Sequence, residues 1–148
     1  MAKKVNQGGK MNLLPGDIVL IHRGTGWQIF APLVWLWQWA VGPYHVEMVW
    51  EQTEDGYKAF SLQPPVLGIV KRKISDLKIS VYRLKNRPEN MDWMFWAWGN
   101  LKIGHTPYIL GWSTCGHPVM DFYKLDCSPY PGAIEKFCRK SDKFIKVI

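Results

Sequence analysis

His45 and Cys127 are the residues of this chain whose type and setting best suit covalent chemistry. His45 lies in Tyr44-His45-Val46-Glu47-Met48-Val49-Trp50, an alternating run that predicts a strand. Cys127 lies in Leu125-Asp126-Cys127-Ser128-Pro129-Tyr130-Pro131-Gly132-Ala133-Ile134, which predicts a loop entering a helix. The prolines suit that place because first-turn amides are unpaired in any helix. A thiol becomes a nucleophile when its pKa falls, and a helix N-terminus and a neighbouring imidazole both lower it. The pair therefore implies attack by sulfur on an acyl carbon, with imidazole carrying the proton.

Such a histidine needs an orienting partner. Residues two apart on a strand share a face, so Glu47 projects with His45. Glu54-Asp55-Gly56 is a hairpin signal, and the returning strand, Tyr57 to Gln63, brings Ser61 or Gln63 alongside. Either could hydrogen-bond the second imidazole nitrogen and fix its tautomer, while only Glu47 carries a charge that would stabilise imidazolium.

The surrounding elements follow from turn signals and periodicity. Leu14-Pro15-Gly16-Asp17 is a turn launching a strand from Ile18 to His22, and further strands are predicted at Gly68–Lys73 and Lys78–Leu84. Asp92 to Leu101 predicts a helix capped by Asn90 or Asp92. His105 to Lys124 reads as loop with short helical pieces. The last helix is expected from about Ser128 to Lys140, with a strand or tail from Phe144 to Ile148.

At 148 residues the chain suits one domain, taken as residues 13–148 behind a flexible leader at 1–12. The net charge of +7 suits anionic cell-wall polymers or phospholipid head groups, and no nucleic-acid motif is present, so nucleic acid is not an expected partner. Cys115, Cys127 and Cys138 leave at least one thiol unpaired, and Cys115 and Cys138 read as packing thiols. No spacing suggests zinc, so neither metal nor cofactor is expected. Met1 to Lys10 has no apolar core behind its lysines and is not a signal peptide. Synthesis in a reducing cytoplasm is expected, followed by phage association or another route of delivery. Nine tryptophans are present, and Ile29 to Val41, at 13 residues, is shorter than the about 20 that span a membrane. Trp27 just before it and Trp35, Trp37 and Trp39 within it suit a core, a lid or contact with a membrane surface.

With His45, Ser61, Gly104-His105-Thr106-Pro107-Tyr108 and Asp126-Cys127-Ser128 in order, the chain resembles the circularly permuted NlpC-type papain-like cysteine hydrolases, the YiiX-like group related to the lecithin:retinol acyltransferase fold. Leu14-Pro15-Gly16-Asp17 is similar to the family's opening strand and Gly42-Pro43-Tyr44-His45-Val46 to its histidine strand. The resemblance implies an α+β fold: a small antiparallel sheet or half-barrel packed against helices, with the nucleophile at the N-terminus of the last helix. It implies Cys127 as nucleophile, His45 as base and Ser61 as the third member, supported by Glu47, Gln63 or Tyr108. The implied activity is an amidase or peptidase acting on a peptide such as that of peptidoglycan. Two alternatives stand beside it. One is a lipid acyl hydrolase or acyltransferase of the same fold. The other is a weakly active binding module in a larger assembly, for example a phage particle, suggested by Ser61 and Pro129 where the family commonly has charged residues.

Overall fold

The computed structural model describes residues 11–23, 45–63, 65–109 and 114–148. The expectations for residues 1–10, for the Ile29–Val41 segment and for Trp27, Trp35, Trp37 and Trp39 lie outside them. The described fold is α+β, with six strands, β1 (Ile18–Arg23), β2 (His45–Gln52), β3 (Gly56–Gln63), β4 (Val66–Lys73), β5 (Lys78–Leu84) and β6 (Phe144–Lys146). They form one antiparallel sheet in the order β4-β3-β2-β1-β5-β6. Three helices complete it: α1 (Met91–Lys102), α2 (His117–Tyr123) and α3 (Pro131–Lys140). Among the described residues no helix is long and apolar enough to cross a membrane.

Alternation along the strands divides the buried residues into two layers. Ile18, Leu20, Val46, Met48, Phe60 and Leu62 face the helices, meeting Phe95, Val119, Ile134 and Cys138. Val19, Ile21, Val49, Tyr57, Ala59 and Val81 face the other way and are closed over by Leu13, Ile74, Leu77, Val147 and Ile148. Aromatic rings join sheet to helices: Phe60 stacks on Trp50 at 5.7 Å and meets Phe95 edge-on at 5.6 Å, and Phe95 meets Phe122 edge-on at 5.2 Å, between ring centroids. A bulge in β2 between Val49 and Glu51 interrupts pairing with β3, and the Trp50 carbonyl there accepts the Trp96 indole N–H at 2.9 Å. At Gly99 a Cβ would stand 2.6 Å from the Trp50 ring, so only glycine lets α1 lie this close to the sheet.

The turn before β1 anchors the N-terminal side of the sheet. Gly16 adopts φ +86°, a left-handed conformation that costs glycine little. Buried Asp17 accepts the Leu14 amide at 2.9 Å and the Arg83 guanidinium at 2.9 and 2.7 Å, tying the turn to β5. The Tyr123 hydroxyl donates to the Gly16 carbonyl and ties the same turn to α2.

Truncating Asp17 leaves the Arg83 cation, itself mostly buried, without its partner. Asp17→Ala should lower stability by about 3 kcal/mol, as expected for breaking a buried pair from one side. Urea unfolding checks this, with a lower midpoint at unchanged slope; a loss under about 1 kcal/mol, the level of a surface pair, would contradict the assignment.

Candidate active site

The site lies at one end of the sheet, where β2 begins, β3 ends and β4 begins. His45 is the first residue of β2. Its face of the strand is the one opposite the helices, because His45 and Glu47 pair with Ile21 and Val19 of the second layer. Ser61 stands on the same face of β3, between Phe60 and Leu62, which face the helices. The chain from Gly104 to Tyr108 runs along the end of β4: Thr106 accepts from the Leu67 amide at 2.9 Å, and the Tyr108 amide donates to Pro65 at 3.1 Å. This segment carries Tyr108 toward the histidine end.

His45 is held through one nitrogen. Its Nε2 lies 3.1 Å from Glu47 Oε2 and 2.9 Å from Ser61 Oγ. Glu47 has no side-chain exposure and is secured by two further residues. Tyr57 Oη donates to Oε1 at 2.8 Å, Arg72 Nε to Oε1 at 3.0 Å, and Arg72 Nη2 to Oε2 at 2.8 Å. Gln63 does not orient the histidine; its Oε1 accepts from Arg72 at 3.3 Å and helps hold that cation.

Cys115 is the cysteine close enough to His45 to raise its pKa. Tyr108 lies close enough to Cys115 for that group, after its own burial, to raise its phenol pKa. Cys127 is not among the groups that act on His45. It lines a groove of about 450 Å³ with Ala133, Lys136, Phe137, Lys140 and Ser141, and the charge acting on it is that of Asp126. All three cysteines are free, so no Cys115–Cys138 bridge forms.

Cys127 is the expected sulfur, but the cysteine among the groups that act on His45 is Cys115, in the turn before α2. The physical reason lies in Gly116. A Cβ there would stand 1.7 Å from the Pro129 carbonyl oxygen and 2.8 Å from Ile134, so the 127–130 loop packs directly against the back of the Cys115 turn. The loop that carries Cys127 serves as a buttress. The turn is closed from within as well: the Thr114 amide donates to His117 Nδ1 at 2.8 Å, and the His117 amide donates to the Thr114 carbonyl at 3.0 Å.

Burial alone would lower the His45 pKa, but the hydrogen bonds to Cys115 and Glu47 and the Glu47 charge outweigh it and raise the value to about 9. For Glu47, burial would raise the pKa, and the contacts with His45 and Arg72 reverse this, lowering it to about 2. An imidazolium at neutral pH is thus flanked by a fixed carboxylate and a thiol. Burial, followed by the Asp126 charge, pushes the Cys127 thiol up, and burial pushes Cys138 up to about 12, so both are poor nucleophiles.

Three residues of the site are absent from the sequence-based expectation. Cys115 was read as packing, although Gly116 and Pro118 after it mark a helix start just as clearly as the prolines after Cys127. Arg72 lies between Lys71 and Lys73 in the sequence, and its register opposite Tyr57 turns it inward. Tyr57 is expected only as the first residue of the returning strand. Among the described residues no cluster of three metal-ligating side chains occurs. Comparison of the chain with family models, curated proteins and solved structures gives no match.

His45 makes stability depend on pH with a definite sign. Its folded value near 9 lies above the ordinary 6.5, so its contribution is complete below about 6.5 and is lost as pH rises through 9. Glu47 contributes on the other side, present above its ordinary 4.5 and lost as pH falls through about 2. Denaturation across the alkaline window should show a loss on the order of 2–3 kcal/mol in the natural protein that His45→Gln lacks. Equal slopes in the two proteins would contradict the assignment.

Proposed function

We propose that the protein is a cysteine hydrolase that cleaves an amide bond in a peptide, with Cys115 as nucleophile and His45 as proton carrier. The observation that carries this reading is the grouping of Cys115, His45, Glu47 and Ser61, with the carboxylate fully buried and Cys115 only partly so. His45 already holds the proton as imidazolium, so Cys115 attacks the carbonyl carbon as the thiolate of that ion pair. His45, held as imidazolium by Glu47, then gives a proton to the leaving amine, and water hydrolyses the thioester. Glu47 with Arg72 and Tyr57 fixes the ring orientation and stabilises the imidazolium without itself taking the proton. Tyr108, beside Cys115, is positioned to donate its hydroxyl to the developing oxyanion.

The order of parts supports the resemblance to permuted papain-like hydrolases with one change. Histidine strand, polar strand, the Gly104–Tyr108 segment and a cysteine before a helix follow one another as expected, with Cys115 in the place first given to Cys127. Glu47 supplies the charge that Ser61 lacks, which removes the main ground for a weakly active binding module. A peptidoglycan-type peptide is the substrate class this resemblance favours.

A lipid acyl substrate is the second reading, and the exposed side of α1 favours it. Trp93, Met94, Trp96 and Leu101 are all solvent-exposed there, at 70, 42, 37 and 76%. Tryptophan on an apolar face suits a lipid interface. Co-sedimentation with anionic vesicles and release of fatty acid from them would favour it over the peptide reading.

Cys115→Ala should abolish peptide cleavage while Cys127→Ala leaves it within about twofold, because only the first thiol touches the base. Iodoacetamide labelling followed by peptide mapping should modify Cys115 first. Removing the base in His45→Ala should slow turnover by roughly 10²- to 10⁴-fold. Loss of activity in folded Cys127→Ala, with Cys115→Ala active, would overturn the assignment.

A further inference from the structure

A second cavity, of about 280 Å³, is lined by Leu67, Trp98, Lys102, Thr106, His117, Pro118 and Asp121. Two chain segments link it to the site residues. His117 is two residues beyond Cys115, and Thr106 two residues before Tyr108, so each lies within about 7 Å of a site residue along the backbone. Both segments are tied down, the first by the Thr114–His117 contacts and the second by pairing with β4. Both links between the cavity and the site residues are thus held by hydrogen bonds.

Its lining is chemically divided. Leu67 and Pro118 are buried, and Trp98 packs 5.4 Å from Phe60 and 5.0 Å from Phe122, which gives a rigid apolar floor. Charge is confined to Lys102 and Asp121, which are half exposed and 3.8 Å apart. Asp121 is also 3.4 Å from Lys124, so one carboxylate is shared by two ammonium groups and the rim carries a net positive charge. His117 Nδ1 accepts from the Thr114 amide, which leaves Nε2–H of the neutral ring as a donor. The volume falls below the roughly 300–1,000 Å³ that hold drug-sized ligands, and so suits one amino-acid residue rather than a long acyl chain.

Resting on the hydrolase reading, we propose that this cavity is the subsite for the C-terminal residue of a short peptide, with an apolar side chain on Leu67, Trp98 and Pro118 and a free carboxylate paired to Lys102. The bond cleaved is then the last peptide bond. Sulfur bonds to the carbonyl carbon of the penultimate residue, the C–N bond breaks, His45 protonates the amine of the departing terminal amino acid, and water releases the remaining peptide from the thioester. The protein would act as a carboxypeptidase.

The test separates the subsite from the chemistry by measuring binding in Cys115→Ser protein, which cannot turn over as a thiol enzyme. N-acetyl-leucine carries the terminal carboxylate and N-acetyl-leucinamide replaces it with a neutral amide; both are titrated while NMR signals of His117 and Trp98 are followed. N-acetyl-leucine should bind about fivefold more tightly, the effect of one partly exposed ion pair. Lys102→Glu should abolish that preference and Asp121→Asn should enlarge it, neither change touching the Cys115–His45 contact. Equal binding of the two probes, binding of neither at millimolar concentration, or a preference that survives Lys102→Glu overturns the subsite. A charge-dependent preference in a protein whose natural form cleaves no peptide upholds the subsite and removes the hydrolase reading; cleavage with no preference does the reverse.

Discussion

The Glu47 carboxylate is the constraint around which the site is built. It sits fully buried on the sheet face opposite the helices, where an unpaired charge would cost several kcal/mol. Every neighbour it has is explained by that cost. Tyr57 and Arg72 come from β3 and β4, His45 from its own strand, and Gln63 steadies Arg72 from the side. Three strands must therefore keep their register for one carboxylate to be satisfied. A one-residue slip in β3 or β4 would turn Tyr57 or Arg72 to the other face and leave Glu47 bare.

The two layers of the sheet divide the work. The layer under the helices is apolar and aromatic and provides the stability that holds α1, α2 and the loop before α3 in place. The opposite layer carries the polar network at one end and closes with aliphatic side chains at the other. The sulfur belongs to the helix side and the histidine to the opposite side, so they meet only at the sheet end, where β2 starts. This explains why a strand-terminal histidine, rather than one in mid-sheet, can face a cysteine carried by the helical layer.

Much of this was legible in the sequence. Alternation located β2, β3 and β5, and Glu54-Asp55-Gly56 marked the hairpin that brings Ser61 to His45. The shared face of His45 and Glu47 followed from strand geometry alone. What was not legible was the choice of sulfur. Cys115 and Cys127 both precede prolines at a helix start, and local pattern cannot rank them. The choice is made by long-range packing, in which Gly116 admits the Pro129 backbone behind the Cys115 turn. Arg72 was illegible for a related reason, since a basic residue between two lysines reads as solvated surface until strand pairing sets its direction. The third strand-borne feature, the β2 bulge at Trp50, leaves no mark in composition either.

The most direct test of the Cys115–His45–Glu47 chain is the titration of the His45 ring followed by NMR in the natural protein and in single cysteine variants. The natural protein should titrate well above 6.5, toward 9, and Cys115→Ala should lower that midpoint while Cys127→Ala leaves it unchanged. A midpoint at the ordinary value, or one that moves with Cys127→Ala and not with Cys115→Ala, would contradict the account.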